Sequence, residues 1–266
     1  MAKYVAEGVD VMVVTCTGGE RGDVLNEQAQ AAVNELGLLE VRRREMANAA
    51  QILGVKHTWL GFEDSGYPEG DPKPPLPTGC FADLPLETAS APLVKLVREF
   101  RPHVITTYDE EGGYPHPDHV RTHEVAVEAF DAAGDPTRYV GWGDAPWQPL
   151  KLYYNMTFHK AKVLALHEAM LGAGLESPYV EWIERWEDRE HDPDRLTTLV
   201  SASEYFPLRD QALLAHVTQI EPSGFWFAVP LEIQQTVWPT DDFQLARTLV
   251  ETTLPETDLF AGIRND

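Results

Sequence analysis

Three times within its first 133 residues, the chain alternates an apolar strand pattern, a polar loop and a helical pattern. The pattern predicts strands at 9–17, 56–62 and 103–108 and helices at 28–52, 87–100 and 117–133. Successive strands joined by helices pair in parallel, and the helices then cover the faces of the sheet. The sequence therefore predicts an α/β fold with three layers and a mostly parallel sheet.

The chain begins with a helix end and not with a strand. Residues 2–7 match the last turns of a helix, and Gly8 stands where its C-terminal stop would be. A parallel α/β sheet normally begins with a strand, and its chemistry collects at the carboxyl ends of the strands. We expect the first strand of this sheet, together with its loop, to be missing.

The second half of the chain is less regular, but it contains no linker, repeat or low-complexity segment. It predicts a strand at 151–158, a helix at 159–174, a strand within 195–206 and a helix at 208–218. Residues 175–195 are rich in Trp, Glu, Asp and Arg, which predicts a surface excursion or a lid. We expect residues 1–266 to form a single domain, since this length supports one substantial core.

Charge and cysteine content restrict the partners and the compartment. A formal net charge of −22 argues against nucleic acid and anionic membranes, because both attract clusters of Lys and Arg. No apolar run approaches the roughly 18 residues that span a membrane. Cys16 and Cys80 lie far apart without metal-binding spacing, which suits a reducing compartment. We expect a cytoplasmic protein.

The third predicted strand leads into Gly-Gly-Tyr114-Pro-His116-Pro-Asp118-His119. His119 falls in the first turn of the following helix, where a neutral imidazole can bind a metal ion. Proline at the first helical position and Asp118 near the positive end of the helix dipole would also suit a simple capped helix. We favour a functional site, with His119 as its candidate metal ligand.

Other histidines give weaker signals. His123 lies one helical turn beyond His119, but no Glu stands between them as in zinc peptidase helices. We therefore expect His123 to lie in the core or on a helix face. Of the remaining histidines, His216 has a suitable position, at a helix end before a loop.

The loops after the first two predicted strands also carry polar residues. Thr-Gly-Gly-Glu20-Arg21-Gly-Asp follows the first strand, and Glu63-Asp64-Ser65 follows the second. Neither loop has the glycine spacing of a dinucleotide site or the Lys-Ser/Thr pair of a phosphate loop. Ser65 also lacks the surroundings of a nucleophilic serine. We expect three strand ends to deliver polar groups to one rim, where they would hold hydroxyls or an amine; an ordinary polar loop is the alternative.

Four segments, taken in this order, resemble those of the LmbE/PIG-L-like zinc deacetylases: Thr-Gly-Gly-Glu-Arg-Gly-Asp, Asp-Ser-Gly after Trp-Leu-Gly-Phe, Gly-Gly-Tyr-Pro-His-Pro-Asp-His and Ala-His-Val-Thr-Gln-Ile. The resemblance spans nearly the whole chain and implies a Rossmann-like fold. Gly-Glu-Arg-Gly-Asp, Pro-Glu-Gly-Asp-Pro and Trp-Phe-Ala-Val-Pro are most similar to the branch of the family that hydrolyses mycothiol S-conjugates.

The resemblance implies roles for the residues around the third strand end. His119 matches the family's second zinc-binding histidine. His116, with Asp118 as its partner, matches the histidine that stabilises the oxyanion or acts as general acid. As an imidazolium paired with Asp118, it would stabilise the tetrahedral oxyanion. Tyr114 matches a mobile tyrosine that polarises the scissile carbonyl.

Substrate-binding roles follow from the same resemblance. Glu20, Arg21 and Asp64 fall where the family contacts its sugar–inositol substrate, and we add His216 to this group. The remaining zinc ligands, a His and an Asp, and the general-base Asp belong to an Ala-His-Pro-Asp-Asp-Glu motif that is absent from the sequence. We expect the start codon to have been placed too late, with genuine truncation as the alternative. For the chain as it stands, we expect weak zinc binding and little turnover.

The resemblance implies a zinc-dependent amide hydrolase, with ferrous iron as an alternative metal. Its substrate would be a mycothiol S-conjugate, cleaved to glucosaminyl-inositol and an N-acetylcysteine conjugate in the detoxification of electrophiles. One alternative is the deacetylase that makes glucosaminyl-inositol for mycothiol synthesis, and another is a non-catalytic sugar-binding remnant. The expected partner is a small molecule, either a thiol conjugate or an amino sugar, and a homo-oligomer is compatible with the sequence.

Overall fold

The computed structural model describes residues 1–186 and 193–264 of the protein. The chain divides into two compact units. The first unit holds the described residues of Met1–Trp59, Phe158–Asp192 and Ser201–Thr240, and the second holds those of Leu60–Thr157, Pro193–Val200 and Asp241–Asp266. The single domain predicted from the sequence stays a prediction.

Helices and strands alternate in the first half of the chain, as the sequence predicts. The α-helices are α1 (Ala2–Ala6), α2 (Gln30–Leu36), α3 (Leu38–Leu53), α4 (Leu86–Phe100), α5 (Pro117–Ala132), α6 (Lys160–Gly172), α7 (Val180–Trp186), α8 (Phe206–Leu214) and α9 (Leu231–Val237). The strands are β1 (Met12–Thr17), β2 (Lys56–Phe62), β3 (Val104–Thr107), β4 (Lys151–Asn155), β5 (Thr198–Ser201) and β6 (Thr240–Thr248). In the described part of the chain, no helix has the length and apolarity needed to cross a membrane.

The strands form two sheets. β1 and β2 pair in a two-stranded sheet, and the other strands form a four-stranded sheet in the order β3-β4-β6-β5. β3 and β4 run parallel, in a register that places Val104 beside Lys151, whereas β6 runs antiparallel to β4. The predicted α/β class with parallel strand pairing is confirmed.

The helix predicted over residues 28–52 is divided in the structure. A 3-10 turn at Glu27–Ala29 leads into α2, and Gly37 separates α2 from α3. Gly37 has φ +82° and ψ 149°, which residues with a Cβ rarely adopt. The apolar periodicity on both sides of Gly37 concealed this break.

In the second unit, α4 packs on α5 through small and β-branched side chains. Val94 and Val97 of α4 form one buried cluster with Ala129 and Ala132 of α5, and Ile105 of β3 packs against it. Small side chains at a helix contact allow the helices to approach closely. This core fixes α5 and therefore the residues at its first turn.

Arg98 of α4 holds the turn that follows α5. Its buried guanidinium donates to backbone carbonyl oxygens of Ala133, Asp135, Arg138, Tyr139 and Trp142. These bonds employ all five guanidinium N–H groups. A single side chain therefore organises the segment between α5 and β4.

A fully buried ion pair ties the C-terminal segment to the four-stranded sheet. Lys151 of β4 donates to the Glu256 carboxylate, and both side chains are completely buried. Tyr153 donates its hydroxyl proton to the same carboxylate at 2.6 Å, and Thr198 does so at 2.9 Å. The charge of Glu256 is thus compensated by donors from two strands, β4 and β5.

In the first unit, aromatic rings pack around α6 and α7. Trp182 of α7 stacks on Phe225 with ring centroids 4.9 Å apart, and Phe158 lies edge-on to Trp182 at 5.1 Å. The predicted excursion or lid at residues 175–195 is therefore a packed helix in part. Residues 187–192 of that prediction lie outside the described residues.

Candidate active site

The loop before α5 turns sharply and brings its rings close to the helix. Gly112 and Gly113 both have φ +73°, and a Cβ at Gly112 would lie 2.8 Å from the Cβ of His119. Gly112 is therefore needed both for the turn and for the close approach of His119. His116 is the N-cap residue of α5, and Pro117 takes its first helical position.

His119 is packed between two tyrosines. Its ring stacks on Tyr108 with centroids 4.3 Å apart, and Tyr114 lies edge-on to it at 4.7 Å. Nδ1 of His119 lies 3.0 Å from the carbonyl oxygen of Gly112. Because that oxygen can only accept, Nδ1 carries the proton of the neutral ring, and Nε2 keeps a lone pair for a ligand.

The loop after β2 is tied to the start of α5. The backbone N–H of Ser65 donates to Oδ2 of Asp118 at 3.2 Å, and Oγ of Ser65 accepts the N–H of Ala82 at 2.9 Å. Asp64, Ser65 and Asp118 are all buried. The structure thus brings Asp64 close to Asp118 and to the ring of His116.

Burial changes the protonation of Asp118. Burial raises the pKa of this carboxyl to about 6; hydrogen bonds from Ser65 lower it, and a hydrogen bond and the charge of Asp64 raise it again. The ordinary value is 3.8. Keeping Asp118 ionised in the folded protein therefore costs free energy, and this cost grows as the pH rises from about 4 to about 6.

We predict that Asp118→Asn stabilises the protein at pH 7.5 by about 2 kcal/mol relative to the wild type, because it removes a buried charge. Well below pH 3.8 Asp118 is protonated in both the folded and the unfolded chain, so the difference should disappear there. Urea unfolding of both proteins across this pH range measures the effect. A variant that is less stable than the wild type by the same amount at every pH would contradict the raised pKa.

The two imidazoles and the tyrosine hydroxyl are shifted toward their neutral forms. Burial lowers the pKa of His116, against the opposing charge of Asp64. Burial also lowers the pKa of His119, and the Gly112 carbonyl partly opposes this. The pKa of Tyr114 is raised, chiefly by burial. At neutral pH the site therefore has uncharged imidazoles and a protonated phenol.

The contact between His116 and Asp118 differs from the expected ion pair. Nδ1 of His116 accepts the backbone N–H of Asp118 at 3.1 Å, so the ring caps α5. The Asp118 carboxylate accepts from Ser65 instead. Because Nδ1 is an acceptor, the proton of the neutral His116 ring is on Nε2. His116 can therefore donate a proton without being an imidazolium.

Sequence comparison supplies the family. The family described as "PIG-L: GlcNAc-PI de-N-acetylase" matches residues 1–130. A mycothiol S-conjugate amidase of Streptomyces coelicolor is 57% identical over 269 residues, which cover 100% of this chain and 92% of that protein. This chain belongs to the PIG-L family. Members of the PIG-L family are hydrolytic amidases and deacetylases that act on C–N bonds.

A second sequence relative agrees with membership of the PIG-L family, and a solved structure agrees with the fold. A 1D-myo-inositol 2-acetamido-2-deoxy-alpha-D-glucopyranoside deacetylase of Catenulispora acidiphila is 38% identical, covering 99% of this chain and 83% of that protein. The N,N'-diacetylchitobiose deacetylase from Pyrococcus horikoshii has a TM-score of 0.59 at 19% identity, over 92% of this chain and 75% of that one. At that identity the structural match supports the fold alone.

The residues of this PIG-L chain do not by themselves complete a zinc site. His119 is oriented as a ligand, with Nδ1 on a carbonyl oxygen and Nε2 available. A catalytic zinc needs three protein ligands and an open position. Within residues 1–186 and 193–264, no group of three or more His, Cys, Asp or Glu is placed to hold a metal ion. We therefore assign no step through a metal to these residues.

The other substrate-binding residues predicted from the sequence lie in the first unit. Arg21 is exposed and Glu20 is half-buried, in the loop that follows β1. Arg42 of α3 supports this loop by donating to the carbonyl oxygens of Gly19 and Asp23. These loop residues therefore have a fixed backbone, as a binding loop requires.

His216 lies in the same unit, at the end of α8. Burial lowers its pKa, and the neighbouring charges of Glu45 and Arg42 act in opposite directions. It also contributes to the lowered pKa of His57, whose Nε2 lies 2.8 Å from Oγ1 of Thr15. His216 thus belongs to a group of titratable side chains that the sequence pattern did not reveal.

Two further aromatic residues of the site were also missed from the sequence. Tyr108 ends the third strand pattern, and its ring stacks on His119. Tyr67 lies in the long loop after β2, and the centroid of its ring lies 5.8 Å from that of the His116 ring. The position of Tyr108 at a strand end was an available signal. His123 donates from Nδ1 to the carbonyl oxygen of Tyr108 at 3.0 Å and packs on Tyr154, as expected for a structural histidine.

Proposed function

We propose that this protein is an amide hydrolase that cleaves mycothiol S-conjugates to glucosaminyl-inositol and an N-acetylcysteine conjugate. The observation that carries this proposal is the 57% identity to the S. coelicolor amidase along the full chain. Identity to a deacetylase of the acetylated sugar falls to 38% over a similar span. Such a reaction would remove electrophiles that have reacted with the thiol, and so would serve detoxification.

The second unit supports the proposal by offering two neutral hydrogen-bond donors beside each other. The pKa of Tyr114 is raised, chiefly by burial, so its hydroxyl keeps a proton to donate to the scissile carbonyl oxygen. His116 has the proton of its neutral ring on Nε2, and its ring centroid lies 5.9 Å from that of Tyr114. Donors held in place before the reaction stabilise the developing oxyanion without reorganisation. We assign this role to Tyr114 and His116.

Asp118 and Asp64 complete the proposed site. Asp118 positions His116 through its backbone N–H, and it positions the loop after β2 through its carboxylate. Asp64 is buried beside these groups and is our candidate acceptor for a sugar hydroxyl. In the first unit, Glu20, Arg21 and His216 stay our proposed substrate-binding residues for a sugar–inositol group.

Zinc is the proposed metal, with ferrous iron as the alternative, and His119 is the ligand that this chain supplies. When bound in this family, zinc would lower the pKa of a coordinated water toward about 7. The described residues are assigned to binding, orientation and proton donation. Both cysteines are free and buried, which suits the reducing conditions of the cytoplasm, where we place the reaction.

Product analysis tests the proposed reaction. The bimane conjugate of mycothiol is incubated with protein and zinc, and the products are separated and identified by mass. We expect the small turnover of this chain to give glucosaminyl-inositol and the N-acetylcysteine bimane conjugate, at a rate that falls about 100-fold or more in His116→Ala, since a positioned proton donor contributes 10²–10⁴-fold. Release of acetate in place of these products would contradict the proposal.

The same assay distinguishes the proposed amidase from two alternative functions. The relative at 38% identity favours a deacetylase that removes the acetyl group from N-acetylglucosaminyl-inositol, and this would appear as preferred acetate release. The absence of a three-ligand metal group among the described residues favours a sugar-binding protein without turnover. That function would appear as binding of either substrate with no product under any metal condition.

A further inference from the structure

Five rings of the candidate site form one cluster: those of Tyr67, Tyr108, Tyr114, His116 and His119. The rings are stacked at one end of this cluster, which we call the closed end, and are exposed at the other, the open end. At the closed end, Tyr108 and His119 stack at 4.3 Å. At the other end, the Tyr67 ring lies 6.4 Å from Tyr114 and 5.8 Å from His116. Tyr67 and Tyr114 are 45% and 53% exposed. These two tyrosines therefore offer ring surface to a ligand beside the proposed proton donors.

The segment that carries Tyr67 is fixed on the residue's N-terminal side. Oδ1 of Asp64 accepts the N–H of Gly66 at 2.8 Å. Ser65 is bonded through its backbone N–H to Asp118 and through its hydroxyl to Ala82. The position of Tyr67 follows directly from these contacts, because only one residue separates it from Ser65.

Two further contacts hold the rest of this loop. Phe81 stacks on Phe62 of β2 with centroids 4.9 Å apart, which fixes the far end of the loop. Nζ of Lys73 lies 5.1 Å from the centroid of the Tyr67 ring, within the range of a cation–π contact. The exposed ring is therefore a preformed surface, and little ordering is needed when a ligand binds to it.

We propose that Tyr67 and Tyr114 form an aromatic subsite for the apolar S-substituent of the conjugate. This inference rests on the proposed function, in which Tyr114 donates to the scissile carbonyl. In an S-conjugate, the sulfur is attached to the β-carbon of the same cysteine whose carbonyl is attacked. The S-substituent therefore lies only a few bonds from Tyr114, within reach of a neighbouring ring. An acetyl group ends at its methyl carbon and does not extend to Tyr67.

The subsite makes Tyr67 a specificity-determining residue. Aromatic rings bind other rings with centroids about 4.5–7 Å apart and bind alkyl groups through their faces. A large, planar S-substituent should gain much from Tyr67, and a methyl substituent should gain little. Because of Tyr67, the affinity for a conjugate should depend on the size of its S-substituent.

Binding of intact conjugates tests this inference without relying on turnover. The 266-residue protein is kept in EDTA, and its affinities for the S-bimane and the S-methyl conjugates of mycothiol are measured by calorimetry. We expect Tyr67→Ala to weaken bimane-conjugate binding about tenfold and S-methyl binding less than about twofold. Tyr67→Phe keeps the ring and should bind both as the wild type does. Trp142→Ala, which removes another exposed aromatic side chain of the second unit, should also have no effect.

Several outcomes would overturn the inference. Equal weakening for both conjugates, or unchanged binding of the bimane conjugate by Tyr67→Ala, would remove Tyr67 from the S-substituent subsite while leaving the proposed function intact. A wild-type protein that binds the acetylated sugar but neither conjugate would overturn the proposed function together with the subsite. Thermal unfolding of each variant is measured alongside, and Tyr67→Leu replaces Tyr67→Ala if the latter unfolds early.

Discussion

Lys151→Met is expected to lower the free energy of unfolding by about 3–5 kcal/mol at pH 7, because it leaves the Glu256 carboxylate buried without its cation. Both side chains of this pair are completely buried. Tyr153, Thr198 and Thr252 would still donate to the carboxylate. Three neutral donors reduce the cost of a buried charge but do not supply an opposite one.

The pH dependence of this variant has a defined sign. Burial alone would raise the pKa of Glu256, but hydrogen bonds from Lys151 and the three hydroxyls hold it below its ordinary value of 4.5. Glu256 therefore stabilises the wild type above pH 4.5, and this contribution is lost as the pH falls through the folded pKa. Without Lys151 the folded pKa should rise, so acid should relieve part of the variant's defect. The difference in the free energy of unfolding between the wild type and Lys151→Met should therefore be smaller at pH 5 than at pH 7.

Urea unfolding of the wild type and three variants measures both effects. The double variant Lys151→Met with Glu256→Gln removes both charges, and it should recover at least about half of the lost stability. Lys56, whose ion pair with Asp10 is exposed, provides the matched control. Lys56→Met should change stability by less than about 1 kcal/mol. A Lys151→Met protein as stable as this control would contradict the role assigned to the buried pair.

Arg98→Lys is expected to cost at least about 3 kcal/mol, because two or more charge-assisted bonds of about 1.5–3 kcal/mol each would be lost. Lysine has three donors on one atom and cannot span the five carbonyl oxygens that the planar guanidinium reaches. The space around the turn is also narrow, since a Cβ at Gly143 would lie 2.9 Å from the carbonyl oxygen of Lys95. Retaining the positive charge should therefore not restore the contact.

Hydrogen exchange locates the effect of Arg98→Lys. Protection should fall first at residues 133–142, whose carbonyl groups the arginine holds, while α4 remains protected. Lys95 lies one helical turn earlier and pairs with Glu99 on the exposed face. Lys95→Ala should leave both stability and exchange nearly unchanged. If protection fell equally in the turn and in the sheet, Arg98 would not be a residue that stabilises this turn specifically.

The first half of the fold was predictable because each element shows its own periodicity. β2 covers Lys56–Phe62, as predicted, and α4 and α5 differ from the predicted ranges by one residue each. Apolar runs, flanking glycines and a proline at the first position of α5 are local signals. They require no knowledge of which element packs on which.

The second half contains elements that only long-range pairing explains. β6 (Thr240–Thr248) has Asp241 and Asp242 near its start and no clear alternation, and it forms by pairing with β4. The same limit applies to Arg98 and Lys151. Their sequence positions suggest a helix face and a strand start, whereas burial against distant carbonyl and carboxylate groups defines their roles.

The candidate site was partly predictable for the same reason. His116 and His119 lie one helical turn apart at a strand end, so their proximity follows from local geometry. The contact of Asp118 with Ser65 joins residues 53 positions apart. His116 accepts the backbone N–H of Asp118 and does not form the expected ion pair, because His116 is the N-cap residue of α5. Sequence patterns give the residue types of such a contact but not which atoms meet.

Competition between two substrates tests the central claim most directly. The S-bimane conjugate of mycothiol and N-acetylglucosaminyl-inositol are supplied together at equal concentration with the protein and zinc, and both products are followed by mass spectrometry. The ratio of product rates equals the ratio of kcat/KM values, so it does not depend on how much of the protein carries metal. We predict a ratio of at least about ten in favour of the conjugate, equivalent to about 1.4 kcal/mol. A ratio in favour of the acetylated sugar would contradict the assignment as an amidase of S-conjugates.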